Sequence, residues 1–213
     1  MQKVAVQTSA APASFSRAAQ ASGADALLVV SPYYNKATSR GLILHYQTIA
    51  EAVSIPVIIY NVPSRTGVDI PTSVYRELQE IPNIAGVKEA STDIRKIAHI
   101  RAACGDGFRI WSGNDDMTVP VMALGGSGVI SVASNIVPLA MKAMTDAALD
   151  GDYQTASALQ EQMTELFKAL FCEVNPIPVK AALKILGHDC GKCRLPLTTI
   201  EPENEELLKK ILL

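Results

Sequence analysis

The sequence predicts an α/β fold: a parallel sheet of the (β/α)8 barrel type, short of two strand–helix units and followed by a C-terminal helical extension. Three observations predict it. Apolar runs of strand length alternate with amphipathic helical patterns between residues 23 and 132. The strand ends repeatedly carry polar or glycine residues, at Tyr33-Tyr34, Tyr60-Asn61, Lys88-Glu89 and Gly113-Asn114; an open doubly wound sheet would concentrate its ligand contacts at one switch point instead. From Pro138 onward the pattern is helical, with no strand between the helices.

Taken in order, residues 3–7 read as a short, weak strand and 12–22 as the helix after it. The same stretch is Ala/Ser-rich, contains Lys3 and Arg17 and has no acid before Asp25, which is also the composition of a transit peptide; strand and helix are the expectation. Residues 26–32 read as the next strand-like run. Over 40–53, Leu42, Tyr46, Ile49 and Val53 fall at spacings of 4, 3 and 4, one face of a helix. A strand at 56–60 leads through a loop to Pro71-Thr72, where proline suits the first helical turn. Residues 84–88 are strand, and Ser91-Thr92-Asp93 supply caps for a helix to about Cys104. Residues 108–112 are strand, Asp115-Asp116 suit the start of a helix running to about Leu124, and 128–132 are the last strand. Gly125-Gly126-Ser127-Gly128 precedes a strand and lacks the Gly-Lys-Ser/Thr ending of a phosphate loop, so it reads as a tight helix-to-strand turn. Three or four helices follow, the longest over 152–170, and Asn175-Pro176-Ile177-Pro178 breaks the chain before a helix at 179–186. Five clear strands and a weak sixth fall short of the eight of a closed barrel. Residues 1–137 are expected to form the partial barrel and 138–213 the helical extension.

Composition narrows the function classes. The 213 residues are 48% hydrophobic and 19% charged, enough to bury a large core. A net charge of −2 without a Lys/Arg cluster argues against nucleic acid as a partner, and no apolar run approaches the ~18 residues that span a bilayer. Four cysteines do not make a disulfide scaffold in a chain this long, so a reducing, cytoplasmic setting is expected. Cys190 and Cys193 form a lone Cys-x-x-Cys with only His188 near, too few ligands for a zinc site. Cys104 and Cys172 are expected to be small buried hydrophobes, and His45 and His99 surface residues.

The chemistry-bearing residues gather at three successive strand ends. Lys88 closes the apolar run Ile84-Ala85-Gly86-Val87, Tyr60 closes Pro56-Val57-Ile58-Ile59, and the run from Ala26 leads into Tyr33-Tyr34. A desolvated amine with its lone pair free attacks a carbonyl to form an imine, and phenols beside it move protons. An amine and two phenols are therefore the parts of a Schiff-base site, which needs neither metal nor cofactor. Singly, each has a plainer account: Lys88 as a strand-end lysine reaching solvent, Tyr60 as a half-buried strand aromatic, Arg65 as a solvated turn residue.

Together the motifs carry a resemblance. Ser31-Pro32-Tyr33-Tyr34-Asn35-Lys36, Tyr60-Asn61-Val62-Pro63-Ser64-Arg65-Thr66-Gly67, Gly86-Val87-Lys88-Glu89-Ala90-Ser91, Ser112-Gly113-Asn114-Asp115, Gly128-Val129-Ile130-Ser131-Val132 and Asn175-Pro176-Ile177-Pro178-Val179-Lys180 resemble, in that order, the dihydrodipicolinate synthase family. The resemblance runs from about residue 23 to the C-terminus. It implies a TIM (β/α)8 barrel with a helical C-terminal extension, in the class I aldolase superfamily with N-acetylneuraminate lyase, usually a homotetramer. It implies the condensation of pyruvate with aspartate semialdehyde in lysine biosynthesis, without a cofactor. By the same resemblance Lys88 is the imine-forming amine, Tyr60 the proton-transferring phenol and Tyr34 a second phenol contributed across a subunit interface. Arg65 would hold the semialdehyde's carboxylate with its planar fork, Gly113 and Ile130 would line the pyruvate pocket, and Tyr33 matches a residue of the lysine feedback site. A homo-oligomer, dimer or tetramer, is the expected assembly.

The chain also departs from the family. The Gly-Thr-Thr-Gly-Glu motif of its first strands, whose threonine links the two tyrosines, has no match here; Thr198-Thr199 stands in the wrong context. Three functions therefore stay open at this point: the synthase, another pyruvate-dependent lyase acting on N-acetylneuraminate or a 2-keto-3-deoxy sugar acid, and a shortened barrel without activity.

Overall fold

The computed structural model describes residues 4–7 and 12–213. In chain order its elements are β1 (Val4–Gln7), α1 (Pro12–Ala21), β2 (Ala26–Val30), α2 (Ser39–Glu51), β3 (Val57–Asn61), α3 (Pro63–Thr66), α4 (Thr72–Leu78), β4 (Ile84–Glu89), α5 (Arg95–Cys104), β5 (Arg109–Ser112), α6 (Thr118–Ala123), β6 (Gly128–Val129), α7 (Pro138–Leu149), α8 (Tyr153–Gln162), α9 (Thr164–Ala169), α10 (Ile177–Ile185) and α11 (Pro202–Leu212). Short 3₁₀ turns occupy Asp115–Met117 and Ala133–Asn135. Lys3, the first residue of the strand expected at 3–7, lies outside the described residues. The chain divides into two compact units, Met1–Asn114 with Pro120–Val129, and Asp115–Val119 with Ile130–Leu213.

The first unit holds one six-stranded sheet in the order β1-β2-β3-β4-β5-β6, every neighbouring pair parallel. Sequential order without a reversal means that every crossover winds the same way, so the switch point of a doubly wound sheet does not occur among these strands. Between β3 and β4 the register slips once: Val57 pairs with Ile84 but Ile58 with Gly86, which leaves Ala85 unpaired.

Helices cover one face of this sheet through the periodicity of their apolar residues. In α2 the buried residues are Leu42, Tyr46, Ile49 and Ala50, and the helix opens where the Thr38 hydroxyl accepts from the Gly41 amide at 3.2 Å. The Tyr46 hydroxyl reaches back to the Val29 carbonyl at 3.3 Å and so ties α2 to β2. The Asn83 amide group donates to the Ala50 and Val53 carbonyls at 2.9 and 3.0 Å, satisfying groups that the end of α2 leaves open. In α4, Val74, Tyr75 and Leu78 are buried, and the Tyr75 ring packs 5.9 Å from that of Phe108. The expected cap of α5 acts one residue early: Ile94 is the N-cap, and Asp93 accepts from the Arg95 amide at 3.1 Å.

Burial pushes the phenols of Tyr46 and Tyr75 well up, and for Tyr75 the Glu89 carboxylate adds to the shift. A raised folded pKa favours the neutral form in the fold, so this contribution to stability is complete below the ordinary phenol pKa of ~10 and is lost as pH rises beyond it. In an alkaline titration, phenolate absorbance from these two residues should therefore grow only together with loss of far-ultraviolet circular dichroism. If Tyr46→Phe and Tyr75→Phe each remove an absorbance step near pH ~10 while the dichroism is intact, the burial argument fails.

Three expectations are corrected in the second unit and at its margins. The strand expected over 128–132 stops at Val129, because the Val132 and Ala133 amides donate to the Asp115 carboxylate, at 3.1 and 2.9 Å, and the chain turns into a 3₁₀ helix. The helix expected over 152–170 is two helices. At buried Met163 the amide bonds to the Gln160 carbonyl at 3.1 Å, in a tightened turn, and the Thr164 hydroxyl donates to the same carbonyl at 3.2 Å. After Pro138 there are five helices, and α10 starts at Ile177, inside the stretch expected to break the chain. The core of this unit includes Met141, Met144, Met163, Leu166, Phe167 and Leu170.

Candidate active site

The C-terminal ends of the strands in the first unit set up two rows of side chains on opposite faces of the sheet. Register places Val30 beside Tyr60, Tyr60 beside Lys88 and Lys88 beside Trp111. All four are half-buried, as expected of one row on the face away from α4 and α5. Within it the Lys88 Nζ stands over the Tyr60 ring, 4.5 Å from its centroid. Burial pushes the Tyr60 phenol up, and the Arg65 guanidinium pulls it part of the way back. The phenol is thus held protonated at neutral pH, able to give a proton to a developing alkoxide and take one back.

The next residue of each strand faces the helices. Asn61 and Glu89 are in register and buried. The Asn61 amide donates to both Glu89 carboxylate oxygens, at 2.8 and 3.1 Å, and to Asp69 at 2.9 Å, while its own oxygen accepts from the Ile70 amide at 3.1 Å. Glu89 further accepts from the Ser91 amide at 2.8 Å and the Tyr75 hydroxyl at 3.4 Å. Lys96, only 8% exposed, lies 3.8 Å from Glu89 and pairs with Asp69. Every charge in this cluster has a partner, which a buried carboxylate requires. The motif reading noted Asn61 and Glu89 only as polar strand ends; their roles follow from strand register. Trp111, in the row beside Lys88, was also missed; it lies in the strand expected at 108–112.

The remaining expected residues stand as follows. Arg65 is exposed in the last turn of α3, where a loop was expected; that helix ends on Gly67 in the left-handed conformation, φ 66°. The Lys36 side chain lies against Gly67, so the segment after β2 meets the segment after β3. The Gly113 amide donates to the Glu89 carbonyl at 2.7 Å, and a Cβ at Gly113 would come within 2.5 Å of the Ala90 Cβ, so the end of β5 presents bare backbone. Ile130 directly follows β6 in sequence, is half-buried, and belongs to the second unit. Tyr33 and Tyr34 are 51% and 96% exposed, and Tyr34 has φ 69°, an uncommon conformation for an aromatic residue. The structure therefore brings Lys88 and Tyr60 together and leaves Tyr34 projecting from the chain. Cys104 and Cys172 are half-buried rather than buried: Cys104 is the last residue of α5, and Cys172 lies in the bend after α9. His45 is also half-buried, and burial lowers its pKa. Among the described residues no three His, Cys, Asp or Glu side chains gather as a metal site, and no helix is long and apolar enough to cross a membrane.

Six parallel strands in sequential order, with an amine and a phenol side by side at the ends of β4 and β3, are the framework of an α/β fold of the barrel class. The chain belongs to the dihydrodipicolinate synthetase family, whose model matches residues 4–213. It is 51% identical over 195 residues to the 4-hydroxy-tetrahydrodipicolinate synthase of Thermoanaerobacter sp. (strain X514), covering 91% of this chain and 66% of that protein. Among solved structures, dihydrodipicolinate synthase from Aquifex aeolicus superposes with a TM-score of 0.96 at 44% identity, covering 100% of this chain and 74% of that one. The synthase from Acinetobacter baumannii complexed with pyruvate gives 0.95 at 41% identity, with coverages of 100% and 74%. The chain spans about two thirds of the length of the curated relatives it matches.

Proposed function

We propose that this chain condenses pyruvate with aspartate semialdehyde to 4-hydroxy-tetrahydrodipicolinate, with Lys88 as the amine of the Schiff base. The neutral Lys88 amine attacks the pyruvate keto carbon, and water leaves as the imine forms. The imine withdraws electrons, the pyruvate methyl gives up a proton, and the resulting enamine carbon bonds to the aldehyde carbon of the semialdehyde. Tyr60 delivers a proton to the alkoxide formed there, and the amino group of the semialdehyde portion then attacks the imine carbon, closing the ring as the Lys88 amine leaves. Arg65 would receive the semialdehyde carboxylate, Gly113 and Ile130 would line the pyruvate pocket, and Tyr33 would belong to a lysine site. Tyr34 would serve a second copy of the chain in a dimer or tetramer. The six strands would be six of the eight of a TIM barrel, with the other two in the part of the relatives that this chain does not span, and residues 138–213 would be the helical extension. Metal, cofactor and membrane have no place in this scheme, and the setting would be the cytoplasm.

The placement of Lys88 Nζ over the Tyr60 ring, in register at adjacent strand ends, supports this reading most directly. The names of the relatives favour the synthase over a sugar-acid lyase. The test is pyruvate-dependent consumption of aspartate semialdehyde beside a panel of sugar aldehydes. Tyr60→Phe should lower the rate ~10²- to 10⁴-fold while imine formation persists. Preference for a sugar aldehyde, or an unchanged rate in Tyr60→Phe, would overturn it.

A further inference from the structure

We propose that Glu89 and Asn61 are positioning residues, forming a cross-strand staple that holds Lys88 and Tyr60 at reacting distance. This rests on the reading of Lys88 as the imine-forming amine. Each residue of the pair directly follows a residue of the candidate site and points to the opposite face of the sheet. Fixing residue 61 against residue 89 therefore fixes the backbone from which Tyr60 and Lys88 project.

The staple is more than the sheet ladder. The Asn61 amide spans both Glu89 oxygens at 2.8 and 3.1 Å, and the Ala90 amide adds a backbone bond to the Asn61 carbonyl at 2.9 Å. Ser91, Tyr75 and Lys96 hold the carboxylate from three further directions. The Ile70 amide holds the Asn61 Oδ1, and Asp69 accepts from the same Nδ2 that reaches Glu89. A buried, charged cluster is a poor way to gain stability, because apolar residues of the same volume serve as well or better. What it supplies is direction: hydrogen bonds at fixed angles leave one arrangement of the two strand ends. Displacement of a reacting group by about 1 Å can cost ~10²-fold in rate, so direction matters here more than stability.

The experiment follows formation of the pyruvate imine by quenching with borohydride at successive times and weighing the intact chain. Glu89→Gln places one amide against another, and Asn61→Asp places one carboxylate against another; each should slow the maximal rate ~10-fold or more. The pyruvate concentration giving half that rate should change by less than about twofold, because neither residue faces the pyruvate row. The double variant Glu89→Gln/Asn61→Asp pairs donor with acceptor again between residues 61 and 89 but sets a second carboxylate against Asp69, so it should recover part, and not all, of the rate lost in the single variants. Tyr75→Phe removes a single hydroxyl bond to Glu89 and should slow the rate a few-fold, a readout that stands even if the other variants fail to fold. Wild-type rates in folded single variants, or in Tyr75→Phe, overturn the staple while leaving the assignment of Lys88 intact. A wild-type chain that forms no adduct at Lys88 overturns both.

Discussion

Lys88→Ala should abolish any adduct that pyruvate and borohydride leave on the chain, and should lower any condensation rate by at least ~10³-fold. The expectation comes from placement. Lys88 stands in a half-buried row between Tyr60 and Trp111, with its Nζ 4.5 Å from the Tyr60 ring centroid. The neighbouring face adds the Glu89 charge, but Lys96 and the Asn61 amide answer it. Alanine leaves the aromatic neighbours in place and removes only the nucleophile, so the fold should survive and the chemistry should not. Intact mass measured before and after reduction decides the matter, followed by peptide mapping. An adduct of undiminished yield on Lys88→Ala would place the imine on another lysine and remove the basis of the proposed mechanism.

Gly86→Ala should destabilise the chain by about 3 kcal/mol or more, a large effect for one methyl group. Gly86 has φ 149°, and a Cβ there would lie 2.0 Å from the Arg109 carbonyl oxygen, 2.7 Å from its carbon and 2.9 Å from its nitrogen. These are backbone atoms of β5, paired in register with Gly86, and they have no rotamer by which to move aside. Relief requires β4 and β5 to part, and Lys88 lies two residues further along β4. Urea unfolding followed by circular dichroism would measure the loss; a change below about 1 kcal/mol with an unaltered slope would contradict the steric argument. Gly107→Ala, where a Cβ would meet nothing within 4 Å, is the matched control.

Much of this was legible from residue order. The strands at 57–61 and 84–89 announce themselves as apolar runs, and α2 as a 4-3-4 spacing, because burial on one face leaves a period in the chain. The break at Met163 was not legible, since it depends on a threonine hydroxyl competing for a carbonyl within an otherwise helical pattern. The early end of β6 depends on Asp115 taking two amides from a segment distant in sequence. In the candidate site, residue type and strand position single out Lys88 and Tyr60. Asn61, Glu89, Tyr75 and Lys96 were not assembled, because their partnership exists only once register brings residue 61 level with residue 89 and α4 and α5 cover that face.

The slipped pairing at Ala85 has a bearing on how such a site tolerates change. Counted forward from the Val57–Ile84 pair without the slip, Tyr60 would fall beside Val87 and Asn61 beside Lys88. With it, Tyr60 falls beside Lys88 and Asn61 beside Glu89. The slip at one small residue that takes part in no chemistry thus sets the phase for both faces at once. Deleting Ala85 would close the slip, bringing Ile58 beside Gly86 directly after the Val57–Ile84 pair and leaving Tyr60 beside Lys88; an extra residue between Gly86 and Lys88 is what would part them.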